Sequence, residues 1–213
     1  DGIKSDNETE EDKKRVEILK QARDREEAEK SNRGDYKDFL RSCDIKMTIR
    51  PIKEGDWLRV TQLLNRTNEL NATGNKYKLE ELKESFEKNR DKIFVAEMAD
   101  KFGDYGLIAE TIIDTTEQGV WFIRDLTVSC RTMGRGAGSA LVLAVLNSAK
   151  ENGIKKVKGY VKETESNWRM RGLFEKRGFK KVSEEKDIKR YEFDLADKIF
   201  DYPDWIEINL LDK

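Results

Sequence analysis

From Ile45 onward the apolar positions fall into two rhythms, one of two residues and one near 3.6. Lys46-Met47-Thr48-Ile49-Arg50 alternates, which predicts a strand that Pro51 ends. Residues 56–68 place Trp57, Val60, Leu63 and Leu64 on one helical face. Residues 71–75 read as a loop and 79–89 as a second short helix. Strands are predicted over 92–99, 106–114 and 119–129. The polar and glycine-bearing turns between them predict antiparallel hairpins. After a glycine-rich stretch, Leu141, Val142, Val145, Leu146 and Ala149 recur at helical spacing, and Gly153 closes that helix. A strand over 157–161, a helix over 165–177 ended by Gly178, and strands over 179–182 and 191–195 complete the pattern. Pro203-Asp204-Trp205 begins a short tail.

Residues 1–45 have a different texture. Thr9-Glu10-Glu11-Asp12 has the form of a capped helix start, with acids in the first turn. From Lys13 to Lys30 the only large apolar residues are Val16, Ile18 and Leu19. Such a helix has little to bury and is either a solvated connector or a frayed arm. Tyr36, Phe39 and Leu40 then suit a short amphipathic helix able to dock on a core. The chain divides into a helical extension (1–45), one globular domain (46–197) and a tail (198–213). Strand runs mixed with helices predict an α/β domain of mixed, α+β type.

Composition narrows the chemistry. In 213 residues there are no histidines, which removes His-based triads, His-ligated zinc and His acid–base catalysis. Cys43 and Cys130 cannot form a four-thiolate site, so no metal is expected; both are read as packing thiols, Cys130 buried at a strand end. The 42 basic and 43 acidic residues nearly cancel, so no single-sign field points to nucleic acid. No apolar run approaches the roughly 20 residues of a membrane span. Two cysteines and a polar opening, Asp1-Gly2-Ile3-Lys4, lead to the expectation of a cytoplasmic protein without a signal peptide. A start without Met is expected of a piece excised from something longer.

The informative segment is Asp125-Leu126-Thr127-Val128-Ser129-Cys130-Arg131-Thr132-Met133-Gly134-Arg135-Gly136-Ala137-Gly138-Ser139. A strand ends, three glycines alternate, and an apolar-faced helix begins. Glycine allows close backbone approach, and the free N–H groups of a helix start, with its dipole, attract an anion. Two readings stand: a phosphate-binding turn, or a glycine-rich turn with surface arginines. No G-K-[ST] follows, so it is not a P-loop, and antiparallel strands before it argue against a dinucleotide fold.

Together with Asn167-Trp168-Arg169-Met170-Arg171-Gly172-Leu173-Phe174-Glu175-Lys176-Arg177-Gly178-Phe179, this segment resembles the GNAT N-acetyltransferase superfamily over about residues 46–197. The resemblance implies a mostly antiparallel sheet, splayed between its fourth and fifth strands and flanked by helices. It implies acetyl- or acyl-coenzyme A as the ligand. Met133, Gly134, Arg135, Gly136, Ala137, Gly138 and Ser139 would hold the pyrophosphate. Leu126, Thr127 and Val128 would pair with the pantetheine arm, Asn167 would hydrogen-bond that arm or the nearby backbone, and Phe174 would lie beside it. Asn68, Asn71, Tyr77 and Trp168 would line the acceptor wall. Arg131, Gly134 and Gly136 fit the superfamily loop literally; counting from Val128 gives Met133, Gly136 and Gly138, the preferred register.

The departures concern catalysis. Phe174 stands where many members carry a tyrosine acid, and it cannot donate a proton. Phe122 and Arg124 stand where relatives often carry a base. Glu110 and Asp125 are the nearest carboxylates, and strict alternation would turn Asp125 away from Phe122 and Arg124.

A finer resemblance rests on Asn65-Arg66-Thr67-Asn68-Glu69-Leu70-Asn71, Lys101-Phe102-Gly103-Asp104-Tyr105-Gly106-Leu107 and the charged leader. These resemble the C-terminal GNAT-like region of FkbH-like proteins, where a HAD-type domain precedes it and loads an acyl carrier protein. The HAD nucleophile motif is absent from this chain. The resemblance implies that residues 1–45 are a connector and that the thioester is borne by coenzyme A or by a carrier's phosphopantetheine. Three functions remain: an acyltransferase, a non-catalytic module binding coenzyme A or an acyl carrier protein for a HAD-type partner, and a structural domain with an emptied site.

Overall fold

A computed structural model describes residues 10–89 and 91–211. A mixed eight-stranded sheet, with flanking helices, organises the chain. Its strands are β1 (Ile45–Pro51), β2 (Lys92–Asp100), β3 (Gly103–Asp114), β4 (Val120–Val128), β5 (Lys156–Lys162), β6 (Lys180–Glu185), β7 (Ile188–Asp194) and β8 (Ile206–Leu210). Their order is β6-β7-β5-β4-β3-β2-β1-β8. The β4–β5 and β1–β8 pairs are parallel and the rest antiparallel.

The helices are α1 (Glu10–Ser31), α2 (Tyr36–Arg41), α3 (Trp57–Arg66), α4 (Leu79–Asn89) and α5 (Ala137–Glu151). The sheet separates two apolar layers. Leu141, Val142, Val145 and Leu146 of α5 pack with Met47, Trp121, Ile123, Leu126 and Val128. On the other face Trp57, Val60, Leu63 and Leu64 of α3 and Leu82 of α4 pack with Val95, Leu107 and Ile112. The helical spacing of each set puts it on one stripe, which is why these segments are helices here.

Two sequence expectations change. Residues 165–177 do not form an α-helix: bonds such as Met170 N–H to Asn167 O (2.9 Å) and Leu173 N–H to Met170 O (3.0 Å) make a run of tight turns ending in one 3₁₀ turn, Glu175–Arg177. Gly172 costs helix stability there, and the Asn167 side chain is spent on backbone outside the segment. The tail supplies β8, whose Ile206 pairs with Ile45 and Leu210 with Ile49. The Thr9 cap lies outside the described residues; α1 is a solvated helix that docks through Arg25, with Ala28 packed on the core. Arg25, 7% exposed, reaches Asp100 (2.8 Å) and the Gly103 carbonyl (3.1 Å) across the Tyr105 ring. Among the described residues no helix is long and apolar enough to cross a membrane.

Two sheet irregularities position the site. In β4, Ile112 pairs with Asp125 but Ile113 with Ile123, so Arg124 is an extra residue, a β-bulge. Pairing of β4 with β5 also stops after Ile123–Gly159, so the strands diverge beyond it.

Candidate active site

The glycine loop enters α5 through Gly136 at φ 92°, a torsion that side-chain-bearing residues rarely adopt. Ala140 N–H bonds the Gly136 carbonyl (2.9 Å). The N–H groups of Ala137, Gly138 and Ser139 precede that first turn and have no carbonyl within the helix to bond. They border a cleft of about 350 Å³, lined also by Val128, Met133, Gly134, Arg169, Leu173, Lys176 and Arg177. The buried Nε of Arg177 makes no hydrogen bond, and burial lowers this group's pKa. A desolvated guanidinium beside a helix start forms an anion cradle. Arg177 was not singled out from the sequence, although it stands next to Gly178 in the quoted motif.

Trp205, just before β8, closes one wall and donates its indole N–H to the Arg135 carbonyl (2.8 Å). The Arg135 side chain faces a different cavity, between α1 and Tyr105, so it does not serve the cleft as expected. Of the other lysines and arginines near the motif, Arg169 lines the cleft. Lys156 is paired with Glu192 and Arg171 with Glu163 and the Thr164 carbonyl.

The predicted arm-binding residues are present but already engaged. Residues 70–72 lie in the gap between β4 and β5. Ala72 N–H donates to the Leu126 carbonyl (2.9 Å), and Val128 N–H donates to the Leu70 carbonyl (2.8 Å). Asn71 bridges Thr127, and Lys162 N–H of β5 donates to the Ala72 carbonyl (3.0 Å). Asn167 is fully buried and donates to the Asn71 (3.0 Å) and Lys162 (2.9 Å) carbonyls. Of the two partners expected for it, the arm or nearby backbone, it takes backbone and so holds this inserted segment.

Phe174 is also displaced from its expected role. It is 0% exposed, stacked among Phe179 and Tyr191, and a Cβ on Gly159 would come within 2.8 Å of its ring tip. It is core and does not line the cleft.

The bulge overturns the expected facing of Asp125. One extra residue restores Leu126 and Val128 to the α5 layer and puts Asp125 on the face of Phe122. There its carboxylate accepts hydrogen bonds from the Thr73 and Tyr77 hydroxyls and from Asn75 Nδ2 (3.1 Å). Asn75 also reaches the Tyr160 hydroxyl (3.4 Å), whose ring stacks on Phe122 at 5.7 Å. Burial raises the Asp125 pKa, opposed by the Thr73 and Tyr77 bonds. Burial first, then Tyr77's closeness to Asp125, raises the tyrosine pKa as well. Arg124 turns to Asp91 (2.7 Å).

Glu110 lies opposite Thr127 in the β3–β4 pair and is 0% exposed. Neither carboxyl oxygen reaches hydrogen-bond geometry, although the neighbouring Thr127 eases the charge somewhat. Burial and then Asp125 push its pKa well above 4.5, so the buried site favours the protonated acid.

The predicted acceptor wall is only partly assembled. Tyr77 reaches Asp125. Asn71 is buried and caps its own loop, its Oδ1 accepting from the Thr73 (3.0 Å) and Gly74 (2.8 Å) amides. Asn68 is exposed and accepts from Lys76 (3.1 Å). Trp168 is 55% exposed, with the Arg169 guanidinium 4.2 Å from its ring, and lines no part of the cleft. Thr73, Asn75 and Tyr160 were missed, since only the fold brings them to Asp125. Cys130, expected buried, is exposed. Among the described residues, no three histidine, cysteine or acidic side chains gather as a metal site.

The acetyltransferase (GNAT) family profile matches residues 57–179. No curated protein matches the chain. Among solved structures, a domain from Methanocaldococcus jannaschii aligns at TM-score 0.57 with 20% identity, covering 71% of this chain and 99% of its own. Spermidine N-acetyltransferase from Vibrio cholerae, in complex with CoA and spermine, aligns at 0.53 with 18% identity, over 70% and 96%. The ribosomal-protein-S18-alanine N-acetyltransferase of Escherichia coli aligns at 0.53 with 15% identity, over 70% and 94%. Likeness at these identities establishes a shared fold.

Proposed function

The chain belongs to the GNAT acetyltransferase family, and from that premise we propose that it transfers an acetyl group from acetyl-coenzyme A to an amine acceptor. One observation carries the reading: the free N–H groups at the start of α5 and the unpaired Arg177 guanidinium border the same cleft. Together they match the pyrophosphate of coenzyme A in charge and hydrogen-bond polarity.

Acetyl-coenzyme A is the substrate that supplies the activated acyl group. Met133, Gly134, Gly136, Ala137, Gly138, Ser139 and Arg177 hold its phosphates, and Leu126 and Val128 offer backbone partners to its arm. Asp125 takes the proton from the attacking amine. The C–N bond forms as the C–S bond breaks, and the departing thiolate takes its proton from solvent, because Phe174 has none to give. Phe122, Tyr160 and Tyr77 surround the carboxylate and shape the acceptor's approach.

The filled gap between β4 and β5 favours a second reading, a binding module that does not turn over. On the FkbH-like resemblance, its ligand is the phosphopantetheine of an acyl carrier protein, residues 1–45 being the connector from a HAD-type domain. A cytosolic setting fits two unpaired cysteines.

Thermal unfolding with acetyl-coenzyme A, coenzyme A and phosphopantetheine tests both. A ligand at about 100 times its Kd adds roughly 2.7 kcal/mol, a clear upward shift. Stabilisation by the full coenzymes, with thiol release in the presence of primary amines, supports the transferase. Stabilisation by phosphopantetheine without thiol release supports the module. No shift with any of them removes both.

A further inference from the structure

We infer that residues 70–72 are a built-in occupant of the pantetheine slot, and that the substrate's arm displaces them and thereby uncovers Asp125. This rests on acetyl-coenzyme A being the substrate. Where β4 leaves β5, its free edge presents the Leu126 carbonyl and the Val128 N–H, because Thr127 turns its amide groups toward β3. Residues 70–72 satisfy both. Pantetheine is a linear chain with two amides, so it can replace the same two bonds. The exchange replaces those two bonds, while the bonds from Lys162 N–H and Asn167 Nδ2 to the segment set the cost that substrate binding must meet.

Three observations mark the segment as an insert with a second position. It joins β4 through one bridge, Asn71–Thr127, and β5 through one bond, Lys162 N–H to the Ala72 carbonyl, so it is not a full strand of the sheet. It is bounded by Gly74 at φ 72° and by local Asn71 bonds, so its shape is set within the loop. Leu70 also lines the cleft that the anion cradle borders, so a ligand anchored there by its phosphates has the insert beside it.

The same loop continues into Thr73, Asn75 and Tyr77, the three residues bonded to Asp125. They are positioning residues. With the insert in place they shut the carboxylate off from an acceptor, and withdrawal of residues 70–72 draws them away. Substrate binding is therefore ordered, thioester first and acceptor second.

The test is hydrogen exchange on the full wild-type chain with and without saturating acetyl-coenzyme A. Peptides spanning 69–77 are expected to lose protection while 133–139 gain it. If 133–139 gain protection and 69–77 keep or gain theirs, the exchange is refuted and the substrate assignment survives. If acetyl-coenzyme A produces neither protection nor a thermal shift, the substrate assignment fails and takes this inference with it. Asn71→Ala provides a second readout. It removes the two bonds from Asn71 Nδ2 to the Leu64 (3.3 Å) and Thr67 (3.5 Å) carbonyls that tie the segment to the end of α3, and raising the open population should tighten acetyl-coenzyme A binding about tenfold. Unchanged or weaker binding by a folded Asn71→Ala protein overturns the inference.

Discussion

Glu110→Gln offers a quantitative check on the buried carboxyl of β3. In the folded protein this group is sealed from water, without a hydrogen bond, and its pKa is raised well above the ordinary 4.5. Above pH 4.5 the unfolded chain releases this proton while the folded chain keeps it. More protons are then bound in the folded state, so stability falls as pH rises. The slope is about 1.4 kcal/mol per pH unit until the folded pKa is passed. Glutamine carries no titrating proton, and its slope from this position is zero. The variant should gain on wild type by about 1.4 kcal/mol per pH unit as pH rises from the unfolded pKa toward the raised folded one. Asp125 also has a raised pKa, but it is present in both proteins and largely cancels in the difference. Urea unfolding at pH 5, 6, 7 and 8 reads the effect directly. Curves that stay parallel within about 0.5 kcal/mol would show that Glu110 is ionised in the folded state, and would refute the argument from burial.

Further outcomes follow from the site. Asp125→Asn should lower kcat by about 10²–10⁴ while the thermal shift with acetyl-coenzyme A persists; an unchanged kcat would exclude Asp125 as the base. Arg177→Gln should raise the Kd for acetyl-coenzyme A by about tenfold or more and leave binding of S-acetylpantetheine, which lacks phosphate, unaltered. Phe174→Tyr should not increase turnover. Its hydroxyl would press on Gly159, costing about 1–3 kcal/mol and several degrees of Tm, and faster turnover in a thiol-release assay would contradict the packing described.

The parts legible in the sequence were those governed by local rules. The 79–89 helix and the 92–100 strand follow from apolar spacing and their flanking turns. The glycine loop was legible because Gly134 and Gly136 adopt positive φ, which only glycine takes easily. What escaped depends on distant partners. Ile206, Ile208 and Leu210 alternate like a strand, but that strand exists only because β1, at the other end of the domain, lacked a second neighbour. The 165–177 segment carries helix-forming residues whose preference is overridden by Asn167's ties to residues 71 and 162. The facing of Asp125 was misread because alternation assumes a regular strand, and a bulge leaves no mark in residue type.

The bulge at Arg124 also bears on how such a fold can change by descent. Deleting that one codon would leave Trp121, Ile123, Leu126 and Val128 on the α5 side and Phe122, Asp125 and Thr127 on the other, so no side chain changes compartment. The strand would straighten, and the buried Asp91 carboxylate would lose the guanidinium it is paired with. The extra residue therefore does two things at once: bulged, it leaves Asp125 on the face of Phe122, and it supplies the cation that a buried acid requires.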